Sequence, residues 1–487
     1  MTSSNQFSSI TNRNQSSWLQ KRQCEEKFLR VCSSFGYVYQ DLPLIAPTEL
    51  FLRKSGGELA SQMLSMVDVS SNLISLRPEC TALIMSEYLK SKDSFNEIAR
   101  IQYSGPVFRQ PSTSSPEQQS FTQLGAEIIG LDSPIADTEL LSLAAQILTE
   151  LGISDYQIRV ADLQVVNSIV DSVGLSDRAR NFVISCIPLM KLHKSTPSDL
   201  LKQAEYLNII GENVTDNKLN LAISGLDDQQ AKTVLHGFLQ WSEGTSPNLG
   251  QRDPDDVIDR LLKKLRGSNE QQNLEKALDL IDRLVNLEGT AADTLQNTSL
   301  ILSEAGAGPS SLQSLQRLVD LTVDDIHLSS GIALDFGLIK GIAYYSGLVF
   351  DIVHVPTSTI LAGGGRYDSL AQDLGSDSSV PAAGFAYDLD ALQALLQPGN
   401  GSSPRNIYEL FSWDDSVLVI PKNIHSQAMA LRVAQEYRDE GLRVEIGYQY
   451  QNVSEAIKDM DAATWDRIIV VGPSGVETSS ESTTPGS

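Results

Sequence analysis

The stretch ARIQYSGPVFRQPSTSSPEQQSFTQLGAEIIG, residues 99–130, sets two strand-like arms on either side of a polar loop rich in serine, proline and glutamine. The arms, Ala99–Arg109 and Phe121–Gly130, carry the β-branched and aromatic residues that suit strands, and the loop carries the breakers. Upstream, LISLRP (Leu73–Pro78) reads as another strand, and YVYQDLPLIAPTELF reads as extended, with Pro43 and Pro47 as breakers. Helical spacing of Phe28, Leu29, Val31 and Cys32 predicts a helix from Cys24 that stops at Gly36. Strands with helices interspersed point to an α+β fold rather than alternating βαβ units.

Downstream, residues from about 135 to 325 read as mostly helical. One helix there is expected to start at Asp253 as N-cap, with Pro254, Asp255 and Asp256 in its first turn, and to stop at Gly267. Strand signals return in IALDF and in IAYYSGLVFDIV, where Ser346-Gly347 between two β-rich arms suits a hairpin. ILAGGGRYDSL follows, then PAAGFAYDLDALQALL, a strand running into a helix. SVLVI, a helix from His425 to Glu440, RVEI, a helix near Val453–Met460 and RIIVV make a small β-α-β-α-β unit. The expected organisation is a disordered leader over 1–20, a large domain over 21–396, a linker over 397–407, a partial α/β domain over 408–475 and a disordered tail over 476–487.

The chain has 487 residues, 41% hydrophobic and 20% charged, an ordinary globular composition. No run of about 18–20 apolar residues could span a bilayer, and the N-terminus has no signal-peptide core, so a cytoplasmic location is expected. Cys24, Cys32, Cys80 and Cys186 are far apart with no CxxC pair, which argues against disulfides and zinc; no metal site and no cofactor is expected. The net charge of −24 disfavours tRNA, because phosphate binding draws most of its affinity from Lys/Arg clusters.

Six fragments in order, TELFLRKSG, LRPECTA, GPVFR with FTQLGAEIIG, KGIAYYSGLVFDI, GGGRYDSL and GFAYDLDAL, resemble the catalytic core of histidyl-tRNA synthetases of class II. The resemblance covers about residues 24–395, and the small C-terminal unit looks like part of the family's anticodon-binding domain. It implies an antiparallel sheet with flanking helices, a dimer, and a reaction that activates histidine with ATP and passes it to tRNA. It also places a histidine pocket. Glu79 and Thr81 fall where the family contacts the ammonium, and Gln123 and Glu127 line the amino-acid pocket. Tyr344 and Tyr345 match the tyrosine pair, with Tyr345 near the imidazole. Arg109 and Lys340 match the cationic positions. Arg366 and Asp368 are left open between scaffold and pocket neighbour.

Four positions depart from the family on the ATP side: Pro111, Glu117, Lys340 and Ala391. A lost guanidinium beside a reacting phosphate removes a charge-assisted contact. The expectation is therefore a non-catalytic regulatory subunit of ATP phosphoribosyltransferase, which resembles the synthetases. That resemblance implies a short catalytic subunit as partner in a hetero-octamer, and L-histidine as feedback inhibitor of histidine biosynthesis. Two alternatives remain: an active histidyl-tRNA synthetase with a divergent ATP site, and a synthetase-like histidine sensor or scaffold.

Overall fold

A computed structural model of the chain describes residues 4–481 except 54–56, 91–97, 111–119, 208, 211–225, 227, 244–253, 323–327, 329–331, 339–344, 397–414 and 451–464. It divides into two compact units, one of residues 1–164 with 312–487, the other Val165–Ser311. In the first unit the strands are β1 (Val38–Tyr39), β2 (Ile45–Pro47), β3 (Ser65–Val67), β4 (Leu73–Leu76), β5 (Ala99–Phe108), β6 (Ser120–Ile129) and β7 (Tyr156–Asp162). They continue as β8 (Ile332–Leu334), β9 (Leu348–His354), β10 (Thr359–Arg366), β11 (Ala382–Asp388), β12 (Ser416–Pro421), β13 (Arg443–Ile446), β14 (Arg467–Gly472) and β15 (Gly475–Glu481).

Eight of these form one sheet in the order β1-β5-β6-β11-β10-β9-β7-β8. Its inner pairings are all antiparallel, and only the two edge strands, β1 on β5 and β8 on β7, pair in parallel. The two arms of residues 99–130 become β5 and β6, which pair antiparallel. A smaller sheet, β2-β4-β3, lies beside it in sequence. Helix Pro134–Leu151 packs on the large sheet and is buried nearly all round, from Ile135 through Leu148. Its ends are written in the sequence: Ser133 caps the start, Pro134 takes the first turn, and Gly152 closes it at φ 75°.

The C-terminal part folds as a four-stranded sheet in the order β13-β12-β14-β15, with helix Gln427–Asp439 packed against it. β12 pairs in parallel with both β13 and β14. A buried charge cluster fastens it to the large sheet. Arg100 on β5 donates to both oxygens of Glu139 at 3.0 and 3.3 Å, to Glu445 at 3.0 Å and to the Ile446 carbonyl at 3.0 Å. Glu139 also accepts from the Tyr448 hydroxyl at 2.5 Å. Burial pushes the Glu139 carboxyl upward, yet Arg100, with Arg438 and Tyr448, more than offsets it and holds Glu139 below its ordinary value. The Arg438 guanidinium lies 3.5 Å over the Phe35 ring, adding a cation–π contact at the same junction.

The second unit is helical among the described residues. Several expectations change. The N-terminal helix is Ser4–Ser34, so most of the expected disordered leader is helical. No proline or glycine interrupts residues 4–34, and once the buried turns around Phe28 are nucleated, extension costs little. TELFL forms a short helix, Thr48–Leu52, instead of continuing the extended segment. β7 lies within the stretch expected to be helical. Helix Pro254–Val285 runs straight through Gly267, because an internal glycine costs only about 1 kcal/mol against continued pairing. The expected tail contains β15, which pairs with β14 and extends the C-terminal sheet. β9 pairs with β10 and β7. Residues 342–344 of the expected first hairpin arm lie outside the described residues, as do Asp253, the linker and the Val453–Met460 helix.

Cys24, Cys32, Cys80 and Cys186 are all buried free thiols. No helix among the described residues is long and apolar enough to cross a membrane.

Replacing Arg100 by Met strands the buried Glu139 carboxylate, and is expected to cost about 3–5 kcal/mol in urea unfolding. Adding Glu139→Leu to Arg100→Met should recover part of that loss. A single variant as stable as the native chain would mean that the cluster does not hold the two sheets together.

Candidate active site

On the large sheet, β5, β6, β10 and β11 wall a cavity of about 280 Å³. Helix Thr81–Lys90 contributes its first residue, Thr81, and the turn before it contributes Glu79. The cavity's chemistry centres on Glu127 of β6, which is 1% exposed. Three hydroxyls converge on this carboxylate: Tyr367 at 2.5 Å, Thr81 at 2.9 Å and Tyr103 at 3.3 Å. Burial pushes Glu127 up to about 8, against the hydroxyl bonds that favour its ionised form; nearby Glu79 adds to the rise. A shift of this sign favours the protonated form; a cationic guest would favour the ionised form, so its binding would send the proton to solvent.

The register explains why the carboxylate fits. Glu127 stands opposite Gly384 on β11, and a Cβ on Gly384 would lie 1.6 Å from Glu127 Oε2 and 2.7 Å from the Ala126 carbonyl. Only glycine leaves that space open.

The other walls are also polar. Glu79 is 6% exposed and accepts from the Ala82 amide at 3.1 Å; burial raises its carboxyl above the ordinary value. Gln123, 9% exposed, turns into the cavity with its Oε1 unpartnered among the described residues. Arg109 stands at the rim, where its Nε donates to the Pro78 carbonyl at 2.8 Å and its guanidinium stacks 5.3 Å from the Phe121 ring centre. Its two terminal nitrogens have no hydrogen-bond partner among the described residues. The cavity thus offers carboxylates in its depth and a guanidinium at its mouth, a match for a small molecule with a cationic end and an anionic end.

Of the residues singled out from sequence, Glu79, Thr81, Arg109, Gln123, Glu127 and Tyr345 all line this one cavity. Lys340 and Tyr344 lie outside the described residues, as do Pro111 and Glu117. Ala391 is in the first turn of helix Leu389–Leu395 and is not a cavity residue. The helix is capped by Asp388, which accepts from the amides of Asp390 and Ala391 and lines the cavity; Lys21 pairs with Asp390. Sequence reasoning missed Tyr103, Tyr367 and Asp388. Tyr367 had a signal: in GGGRYD, strand alternation puts residue 367 on the face opposite 366 and 368. Nothing in the sequence separated Tyr103 from an ordinary core tyrosine. No group of three or more His, Cys, Asp or Glu side chains arranged to hold a metal occurs among the described residues.

The histidyl-tRNA synthetase family model matches residues 10–189 and 258–392, and an anticodon binding domain model matches residues 416–483. A histidine–tRNA ligase of Sulfurisphaera tokodaii is 22% identical over 449 residues, covering 92% of this chain and 86% of the relative. One of Methanococcus vannielii is 25% identical over 462 residues, covering 94% of this chain and 90% of the relative. A solved structure from Bacillus halodurans C, described as an ATP phosphoribosyltransferase regulatory subunit/histidyl-tRNA synthetase, aligns with a TM-score of 0.53. It is 17% identical and covers 93% of this chain and 94% of that one, a likeness that bears on the fold alone.

These findings overturn the expectation of a non-catalytic regulatory subunit. Relatives similar to the chain along nearly its whole length are named as ligases, and the C-terminal match is to an anticodon binding domain. The same match counts against the expectation, drawn from net charge, that disfavours tRNA as a partner. The expectation failed because it rested on single positions and on whole-chain charge. Three of the four departures lie outside the described residues, and a net charge says nothing about where the charges sit.

Two outcomes are expected at the site itself. A folded carboxyl near 8, against an ordinary value of 4.5, keeps its proton after the unfolded one has lost it. Its contribution to stability is thus full below the ordinary value and is lost as pH rises toward 8. Melting temperature should therefore decline over this window, and Glu127→Gln should flatten that decline; parallel profiles would refute the assignment. Gly384→Ala should destabilise by about 1–3 kcal/mol through overpacking, read by urea unfolding.

Proposed function

The chain belongs to the histidyl-tRNA synthetase family, and on that premise we propose that it is a histidine–tRNA ligase whose cavity holds histidine. What carries the reading is the Glu127 carboxylate with its three hydroxyls, facing a rim guanidinium across a cavity of amino-acid size. In this reading Glu79 and Thr81 receive the α-ammonium, and Glu127 and Gln123 face the ring and the ammonium. Tyr345 flanks the imidazole, with Tyr344 beside it in sequence. Arg109 meets the histidine carboxylate and, with Lys340, the phosphates of ATP.

The chemistry then needs little from the protein beyond placement and charge. A carboxylate oxygen of histidine attacks the α-phosphorus of ATP. The bond to the β-phosphate breaks, giving the histidyl-adenylate anhydride and pyrophosphate. A ribose hydroxyl at the end of tRNA attacks the activated carbonyl and releases AMP. Arg109 would offset the charge that builds on the α-phosphate, and the protein dipoles around Glu127 would keep the ring fixed. Ala391 leaves one family cation unfilled, so turnover should be slow.

The C-terminal sheet, held to the core by Arg100, Glu139 and Glu445, is the part this reading gives to tRNA. The four free buried thiols suit a reducing, cytoplasmic setting.

The test is histidine-dependent ATP–pyrophosphate exchange by the full chain, with histidine charging of tRNA measured alongside. Exchange should require histidine, and Glu127→Ala should lower kcat/KM for histidine by about 10–100-fold, the worth of a hydrogen bond to a charged group. Histidine binding without any exchange would sink the ligase reading while leaving the pocket assignment standing.

A further inference from the structure

We propose that Arg366, Asp368 and Ser346 form a positioning bracket behind the cavity that sets the aim of its two tyrosines, Tyr345 and Tyr367. The proposal takes its ligand from the reading above, but its geometry stands apart from it.

Arg366 ends β10, and strand alternation turns it away from the cavity that Tyr367 enters. It is 6% exposed and pinned to the start of helix Pro134–Leu151. Its Nε donates to Asp137 at 3.1 Å, and its two terminal nitrogens reach the Leu131 carbonyl at 3.3 Å and the Ser133 carbonyl at 3.2 Å. It also donates to Asp368 at 3.3 Å. The arginine on one side of Tyr367 is thereby bonded to the aspartate on the other.

Asp368 passes the constraint on. Its Oδ1 accepts from the Ala382 amide at 2.9 Å, and its Oδ2 lies 3.3 Å from the Ser346 hydroxyl. The Ser346 oxygen accepts in turn from the Asp368 amide at 3.0 Å, and the Ser346 amide donates to the Arg366 carbonyl at 2.8 Å. Ser346 is therefore stapled to the chain on both sides of Tyr367. Its neighbour Tyr345 lays its ring against Gly365, where a Cβ would come within 2.9 Å of the ring. The two tyrosines thus sit at chain positions next to bracket residues and share their backbone.

Arg366 and Asp368 of the bracket border a second small cavity of about 60 Å³, lined also by Asp137, Asp162 and Gln164. On this face polar contacts tie the strand end, while Tyr367 on the other face packs in the apolar core. Removing one lets the end shift, and the Tyr367 hydroxyl moves off Glu127. None of the three bracket residues lines the Glu127 cavity, so their role is to position and not to bind.

The experiment uses the full chain with Ser346→Ala, Asp368→Asn and Arg366→Lys. Folding is followed by melting and circular dichroism, Glu127 ionisation by ¹³C-carboxylate NMR, and histidine affinity by calorimetry. In the folded variants the Glu127 titration should move upward, because the Tyr367 bond that favours its ionised form is weakened. Histidine affinity should fall about tenfold. Asp368→Glu should restore part of both. Folded Ser346→Ala and Asp368→Asn proteins with native titration and native affinity would overturn the bracket. Should Asp368→Asn fail to fold, Ser346→Ala, which loses only a hydroxyl, decides alone. A native chain that does not bind histidine would refute the pocket reading, and the Glu127 titration would still decide the bracket.

Discussion

A carboxyl group buried as deeply as Glu127 can persist only if its oxygens are satisfied, and the architecture around it follows from that need. The three hydroxyls that meet it come from three separate places: the start of helix Thr81–Lys90, strand β5 and the end of β10. Each must be placed to within a fraction of an ångström for the bonds to form. Here β5 and β11 flank β6, both antiparallel to it, and β11 presents Gly384 opposite the carboxylate. One buried acid thereby constrains four elements distant in sequence.

Glu139 is another buried acid, and the contrast between it and Glu127 separates structure from chemistry. Glu139 is met by the Arg100 guanidinium and stays ionised, held below its ordinary value. Glu127 is met by neutral hydroxyls and is pushed up to about 8. An internal counterion makes the first a fixed joint between two sheets. The absence of one leaves the second available to a cationic guest, which can supply the missing charge. Both depend on β5, which carries Arg100 and Tyr103 three positions apart and so serves the joint on one face and the cavity on the other.

Much of this was legible along the chain. Alternating and β-branched runs pointed to β4, β5, β6, β9, β11, β12, β13 and β14, because strand periodicity is local. Six of the eight expected pocket residues line one cavity, and the other two lie outside the described residues. The readings that failed depended on something other than local pattern. Polar composition suggested disorder at both ends, yet a helix extends from a buried nucleus at one end and a strand pairs with β14 at the other. Gly267 looked like a stop, but the helix continues through it. Departures at single positions and an acidic total charge suggested a protein without catalysis, and similarity along nearly the whole chain to named ligases overturned that.

The sequence by itself determined most of the strands, the order of the family's fragments and the residue types that line the Glu127 cavity, since all of these are properties of neighbours in the chain. It did not reveal that Tyr103 and Tyr367 complete the Glu127 site, or that Arg366 and Asp368 bind each other around Tyr367. Nor did it reveal that Arg100 joins two sheets through residues more than three hundred positions away, Glu445 and Ile446. Those are contacts between residues remote in sequence, and hydrogen-bond distance is a relation in space that only the packed sheet fixes. The ionisation of Glu127 and Glu139 belongs to the same class, because the same side chain is driven up or down by whichever partner the fold brings to it.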